Sequence, residues 1–88
     1  MTERAATIIN PLGLHARPAA QFVKLASSFS AYVEVVKDGH PVNGKSIMGV
    51  MMLAAEFGST LTIRADGSDE RPAVDALCAL VEEGFGEL

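Results

Sequence analysis

The dipeptide Asp38-Gly39, set between YVEVVK and HPVN, limits this chain more than any other feature does. Asp-Gly linking two β-rich runs specifies a tight two-residue hairpin. Tyr32 to Val36 and the short return Pro41-Val42-Asn43 are therefore read as antiparallel partners. Pro41 has no N–H to give to a ladder, which places the return strand at a sheet edge. Two more strands follow from pattern. Ala5 to Ile9 is a short β-branched run stopped by Asn10-Pro11 and Gly13, and Ser59 to Ala65 alternates with Leu61, Ile63 and Ala65 on one face.

Between these runs the apolar period changes. From Ala16, the residues Ala19, Phe22, Val23, Ala26 and Phe29 fall at helical spacing, with Arg17, Gln21, Lys24 and Ser28 on the other side. Ser46 is a natural N-cap for a second, short helix running through about Ala55. A last helix starts at Ser68 or Asp69 and ends at Gly84, with Glu70 in its first turn and Val74, Leu77, Cys78 and Val81 as its buried stripe. Asp69 is the better cap, because Pro72 then lacks an N–H where no intrahelical bond is needed. The order β-α-β-β-α-β-α predicts an α+β fold with helices on one face of a mainly antiparallel sheet.

Eighty-eight residues support one core, so residues 1–88 are read as a single domain. A formal charge of −4 argues against general affinity for nucleic acid or anionic lipid, so any anion-handling surface must be local. The longest apolar run, IMGVMMLAA, is far short of the roughly 20 residues that cross a bilayer, and a lone cysteine, Cys78, suits packing in a reducing compartment. A cytoplasmic location is expected. His40, after the hairpin turn, is expected to face solvent, and a His15/His40 pair has no further ligand cluster, so neither metal nor cofactor is expected. Ser27-Ser28 shows no base and acid arrangement for hydrolysis.

The densest stretch is NPLGLHARPAA, Asn10 to Ala20. If His15 is the N-cap of the first helix, its side chain stands over the first-turn N–H groups of Ala16 and Arg17, where the helix dipole favours an anion. Pro18 suits a first turn, and Arg17 offers a planar fork for phosphate oxygens. These features fit a phosphoryl-accepting histidine. On spacing alone, a surface histidine that merely caps a helix is the favoured reading of the stretch.

GLHARPAA, followed about thirty residues on by KSIMGVM, resembles the HPr family, the histidine-containing phosphocarriers of the bacterial phosphoenolpyruvate-dependent phosphotransferase system. The resemblance covers essentially the whole chain. It implies an open-faced sandwich, a four-stranded antiparallel sheet of order 1-4-2-3 covered on one face by three helices. It also implies a stoichiometric carrier, not an enzyme: His15 accepts a phosphoryl group from phosphorylated enzyme I, through Nδ1 in the family, and passes it to a histidine of an enzyme IIA protein, with Arg17 assisting. A regulatory phosphorelay linked to nitrogen or carbon status is the alternative within the family, and an interaction module without phosphate the alternative outside it.

In SIMGVMMLAA, Ile47, Met48 and Met51 share one arc, while Val50 and Leu53 lie on the other. Pattern alone leaves open whether the methionines are core or surface. The resemblance assigns the arc to docking of enzyme I and enzyme IIA, together with Ala16, Ala20, Gln21 and Lys24 of the first helix. Arg17 and Lys24 make a local basic spot on an acidic protein. In bacteria that possess an HPr kinase/phosphorylase, the serine matching Ser46 is also a regulatory phosphorylation site, which adds that kinase and transcriptional regulators to the partners implied. A monomer is expected of a carrier that presents one face to many partners. The closing GFGEL resembles family C-termini, and its Leu88 ending leaves the reach of the terminal carboxylate open.

Overall fold

A computed structural model of the protein describes residues 1–87, so the Leu88 carboxylate lies outside the described residues. Strands β1 (Thr2–Thr7), β2 (Tyr32–Lys37), β3 (His40–Asn43) and β4 (Thr60–Asp66) alternate with helices α1 (Ala16–Ser27), α2 (Ile47–Met52) and α3 (Glu70–Glu82) in the order β-α-β-β-α-β-α. Asp38 and Gly39 take φ values of 51° and 80°, the two positive values that a type I′ hairpin needs. The turn sets Lys37 opposite His40 and Val36 opposite Pro41. All neighbours are antiparallel and the strand order is β1-β4-β2-β3, which leaves β3, with its proline, at the edge.

One face of the sheet carries Ala6, Val33, Val35, Leu61, Ile63 and Ala65, all buried. Against it pack Ala19, Phe22 and Ala26 of α1, Val50 of α2, and Ala73, Val74, Leu77, Cys78 and Val81 of α3, in one continuous apolar cluster. Val23 and Phe29, expected within the α1 stripe, are only partly buried at its margin. Burial pushes the Cys78 thiol up from its ordinary range, which suits packing over nucleophilic chemistry. The opposite face is polar: Arg64 on β4 binds Glu3 of β1 and Glu34 of β2, each at 3.1 Å. No described helix is long and apolar enough to cross a membrane.

Several boundaries differ from the sequence expectation, each for a local reason. β1 starts at Thr2, three residues before the β-branched run, because its ladder to β4 runs from Thr2↔Ala65 to Thr7↔Thr60 and its charged side chains find partners, Glu3 in Arg64 and Arg4 in Asp75 of α3. Ile8 lies beyond the strand yet is fully buried, held by its N–H to the Ser59 carbonyl at 2.8 Å. α2 ends at Met52, short of Ala55, because the chain turns through Ala54 at φ 49° and frees the Ala55 carbonyl for Leu14. Asp69 occupies the N-cap position of α3 without a side-chain cap. Its carboxylate instead accepts from the N–H groups of Ser30 and Ala31, both at 2.8 Å, and ties the start of α3 to the entry of β2.

Glu70 anchors the other end of that corner. Its carboxylate accepts from Thr2 Oγ1 at 2.6 Å and from the Gly67 N–H at 3.1 Å, and it pairs with the Met1 amine at 3.0 Å. The Thr2 and Gly67 hydrogen bonds and the amine hold it down to about 2 from an ordinary 4.5. A carboxyl depressed in the folded state stabilises the fold above its unfolded pKa and loses that contribution as pH falls toward the folded value. Glu70→Gln is therefore expected to lower the thermal midpoint at neutral pH and to flatten its decline between about pH 4.5 and 2, as followed by circular dichroism across an acid titration.

Candidate functional site

The site begins with the turn that delivers the chain to α1. Gly13 donates to the Asn10 carbonyl at 3.1 Å and Leu14 to the Ala55 carbonyl at 2.8 Å, so the turn is clamped to the α2–β4 connection. Gly13 has φ 68°, and a Cβ there would lie 2.4 Å from the Ala55 oxygen. Glycine is required on both counts. Pro18 and Ala19 turn into the core, whereas Ala16, Arg17 and Ala20 are exposed.

His15 is the N-cap of α1, with extended φ −76° and ψ −170°. Its carbonyl accepts the first helical bond from Ala19 at 3.0 Å. Its side chain makes no cap bond, contrary to the expectation that it stands over the first-turn amides. The ring turns instead to the C-terminal segment, where Nε2 meets Glu87 Oε1 at 3.1 Å. The same oxygen accepts from Asn10 Nδ2 at 3.0 Å, and Asn10, which is fully buried, also donates to the Gly13 carbonyl at 2.8 Å.

Hydrogen bonds from His15 and Asn10, with the nearby Arg17 charge, hold Glu87 below the usual carboxylate range. An ionised carboxylate only accepts, which assigns the proton of neutral His15 to Nε2 and leaves a lone pair on Nδ1. Nδ1 has no partner among the described residues, and neither do the amides of Ala16 and Arg17. Arg17 is exposed and pairs with no described residue. One end of α1 thus gathers an open imidazole nitrogen, free helix amides and a guanidinium: a nucleophile beside an anion perch.

Sequence reasoning missed Asn10 and Glu87 as parts of this arrangement. Asn10 read only as a turn residue; its burial follows from a tertiary contact with the chain end. Glu87 is brought back by a 3₁₀ turn at Gly84–Gly86, whose residues Gly84, Phe85 and Gly86 all have positive φ. The alternation of glycine with a buried aromatic in GFG was the available signal.

The second group of singled-out residues lies on α2, which packs against α1. Ile47, Met48 and Met51 are 46%, 75% and 42% exposed, while Val50 and Leu53 are buried, so the outward methionine arc is the one present. Met52, Leu12 and Phe57 add further exposed apolar surface that the pattern did not single out. On α1, Lys24 is exposed and Gln21 half-buried, with Gln21 Oε1 buried and unpartnered. Ser46 caps α2 as expected, its Oγ accepting from the Gly49 N–H at 3.1 Å. The adjacent Lys45 turns the other way and donates to the Phe29 carbonyl beyond α1 at 2.7 Å.

Comparison with known proteins matches residues 2–83 to the family model PTS-HPr, described as the PTS HPr component phosphorylation site. The phosphocarrier protein HPr of Cupriavidus necator is 54% identical over 87 residues, covering 99% of this chain and 98% of that one. The phosphocarrier protein NPr of Shewanella violacea is 42% identical, covering 97% and 93% respectively. Among solved structures, HPr from Thermoanaerobacter tengcongensis superposes with a TM-score of 0.96 at 49% identity, covering 100% of this chain and 99% of that one.

The Ser46 cap generates a test of local energetics. Ser46→Ala is expected to lower the unfolding free energy in urea by about 1 kcal/mol, whereas Ser46→Asp, which keeps an acceptor and adds negative charge at a helix N-terminus, stays close to the wild type.

Proposed function

The chain belongs to the HPr family, and from that membership we propose that it carries a phosphoryl group on His15, received from phosphorylated enzyme I and delivered to a histidine of an enzyme IIA protein in the phosphoenolpyruvate-dependent phosphotransferase system. The observation that carries this reading is the state of the His15 ring: Nε2 is engaged by Glu87 and Nδ1 is open. Attack by Nδ1 places the new phosphate beside the free amides of Ala16 and Arg17 and the Arg17 guanidinium, which act on the phosphate oxygens without breaking any existing bond. The phosphoramidate then leaves readily as a neutral imidazole, which suits a carrier that is loaded and unloaded in turn. The protein is consumed and regenerated stoichiometrically, as a monomer and in the cytoplasm.

Docking of both partners is assigned to Ala16, Ala20, Gln21 and Lys24 of α1 with Ile47, Met48 and Met51 of α2. The exposed methionines support this, because flexible thioether side chains repack against successive surfaces, and Arg17 with Lys24 supplies positive charge for acidic rims. Phosphorylation of Ser46 by an HPr kinase/phosphorylase is the proposed brake, also bringing transcriptional regulators into the partner set. It adds roughly −1.5 to −2 charges at pH 7 beside the apolar arc. A second reading is service in a regulatory branch, and the relatives of this chain include a phosphocarrier named NPr as well as those named HPr. The acceptor protein that takes the phosphate distinguishes the two.

Incubation with phosphoenolpyruvate and cognate enzyme I is expected to add one acid-labile phosphoryl group by intact mass, absent in His15→Ala. Ser46→Asp is expected to slow loading at least tenfold under the same conditions, about 1.4 kcal/mol of lost docking. An unmodified wild-type protein in the presence of active enzyme I would leave only the interaction-module reading.

A further inference from the structure

We propose that Glu87 is the positioning residue of His15: its side-chain carboxylate selects the attacking nitrogen and faces the positive charge that forms on the ring during phosphoryl transfer. Three observations lead there. The Glu87 side chain is 20% exposed and is held from two sides, by His15 Nε2 at 3.1 Å and Asn10 Nδ2 at 3.0 Å. Asn10 is itself fixed by burial and by its bond to the Gly13 carbonyl at 2.8 Å, so the carboxylate rests on the same turn that places the histidine. The backbone that delivers Glu87 is a built feature. Phe85 takes φ 57°, a conformation disfavoured for a residue with a Cβ, and its ring is 3% exposed in the core.

The inference rests on the phosphocarrier reading, and its chemistry follows from it. The Nδ1 lone pair forms a bond to phosphorus while the donor's phosphorus–nitrogen bond breaks, its electron pair returning to the donor imidazole. The proton on Nε2 stays in place throughout. The His15 ring therefore becomes a phosphoimidazolium, and its positive charge faces Glu87 across the Nε2–H bond. Arg17, in the first turn of the helix that His15 caps, is exposed and free to meet the incoming phosphate oxygens, and its charge also reaches Glu87. The logic is that of a carboxylate orienting a histidine in an acyl-transfer triad, with the histidine as nucleophile instead of base. The carboxylate that does this is a side chain within the chain, one residue before its last.

The test uses the full-length protein with two substitutions, Glu87→Ala and Glu87→Gln. Ring nitrogen chemical shifts of free neutral His15 are expected to show the Nε2–H tautomer almost alone in the wild type and in Glu87→Gln, and a mixed tautomer population in Glu87→Ala. Single-turnover loading by phosphorylated enzyme I is expected to fall about tenfold in Glu87→Ala, the scale of one partly solvated charge-assisted hydrogen bond, and severalfold in Glu87→Gln, which keeps an acceptor without the charge. Glu83→Ala, an exposed carboxylate on the same segment, is expected to change neither readout. Wild-type tautomer and wild-type loading in both Glu87 variants would overturn the role of Glu87 alone. A wild-type protein that takes no phosphate would overturn the carrier reading, while the tautomer measurement still decides what Glu87 does to the ring.

Discussion

A single buried amide joins the parts of the site. Asn10 is the one fully buried polar side chain among the described residues, and its two Nδ2 bonds run to the Gly13 carbonyl and the Glu87 carboxylate. Its Oδ1 is buried without a described partner, so the two Nδ2 bonds are what offsets the burial of this amide, and they bind the N-terminal turn to the C-terminal segment. His15 follows that turn and Glu87 lies in that segment. The orientation of the imidazole is therefore a consequence of tertiary structure, although the histidine itself sits in a local motif.

The same division explains how much could be read without coordinates. The α3 stripe Val74, Leu77, Cys78 and Val81, the alternation of Leu61, Ile63 and Ala65, the Asp38-Gly39 turn and the Ser46 cap are short-range patterns, and each is present as read. What escaped depends on distant partners. β1 begins at Thr2 because β4 extends its ladder and α3 offers Glu70, neither visible from a stretch that reads as polar. Asp69 looked like an ordinary cap, yet Ser30 and Ala31 on another connection take its oxygens. Spacing placed His15 at the N-cap of α1 and Arg17 in its first turn, as the structure has them, and only the resemblance gave them a role; the direction in which the His15 ring faces required the returning C-terminal turn.

Charge is distributed so that an acidic chain still presents one surface suited to anions. On the open sheet face Arg64 is consumed by Glu3 and Glu34, and at the corner the Met1 amine is consumed by Glu70. Lys45 is drawn down onto the Phe29 carbonyl, and Lys37 pairs with Asp38 in the hairpin. Arg17, Lys24 and Arg71, by contrast, are exposed and have no described partner, and the first two lie on α1, the helix that His15 caps, while Arg71 lies at the start of α3. Net charge thus says little about the site; which cations remain unneutralised says more.

The short second helix shows why modification at Ser46 would act on partners more than on the fold. α2 has six residues, too few to be stable alone, so it relies on Val50 in the core and on the Ser46 oxygen at Gly49. Phosphorylation replaces the hydroxyl proton and leaves that oxygen in place, and its added charge meets the positive end of a helix. The fold would therefore tolerate it. Ile47 and Met48, the next two residues, are exposed with no polar group of their own to answer a dianion, so the penalty falls on whatever apolar surface a partner brings against them. Local stability and docking are thereby separable at one residue, because the atom that caps the helix is distinct from the charge that would repel the partner.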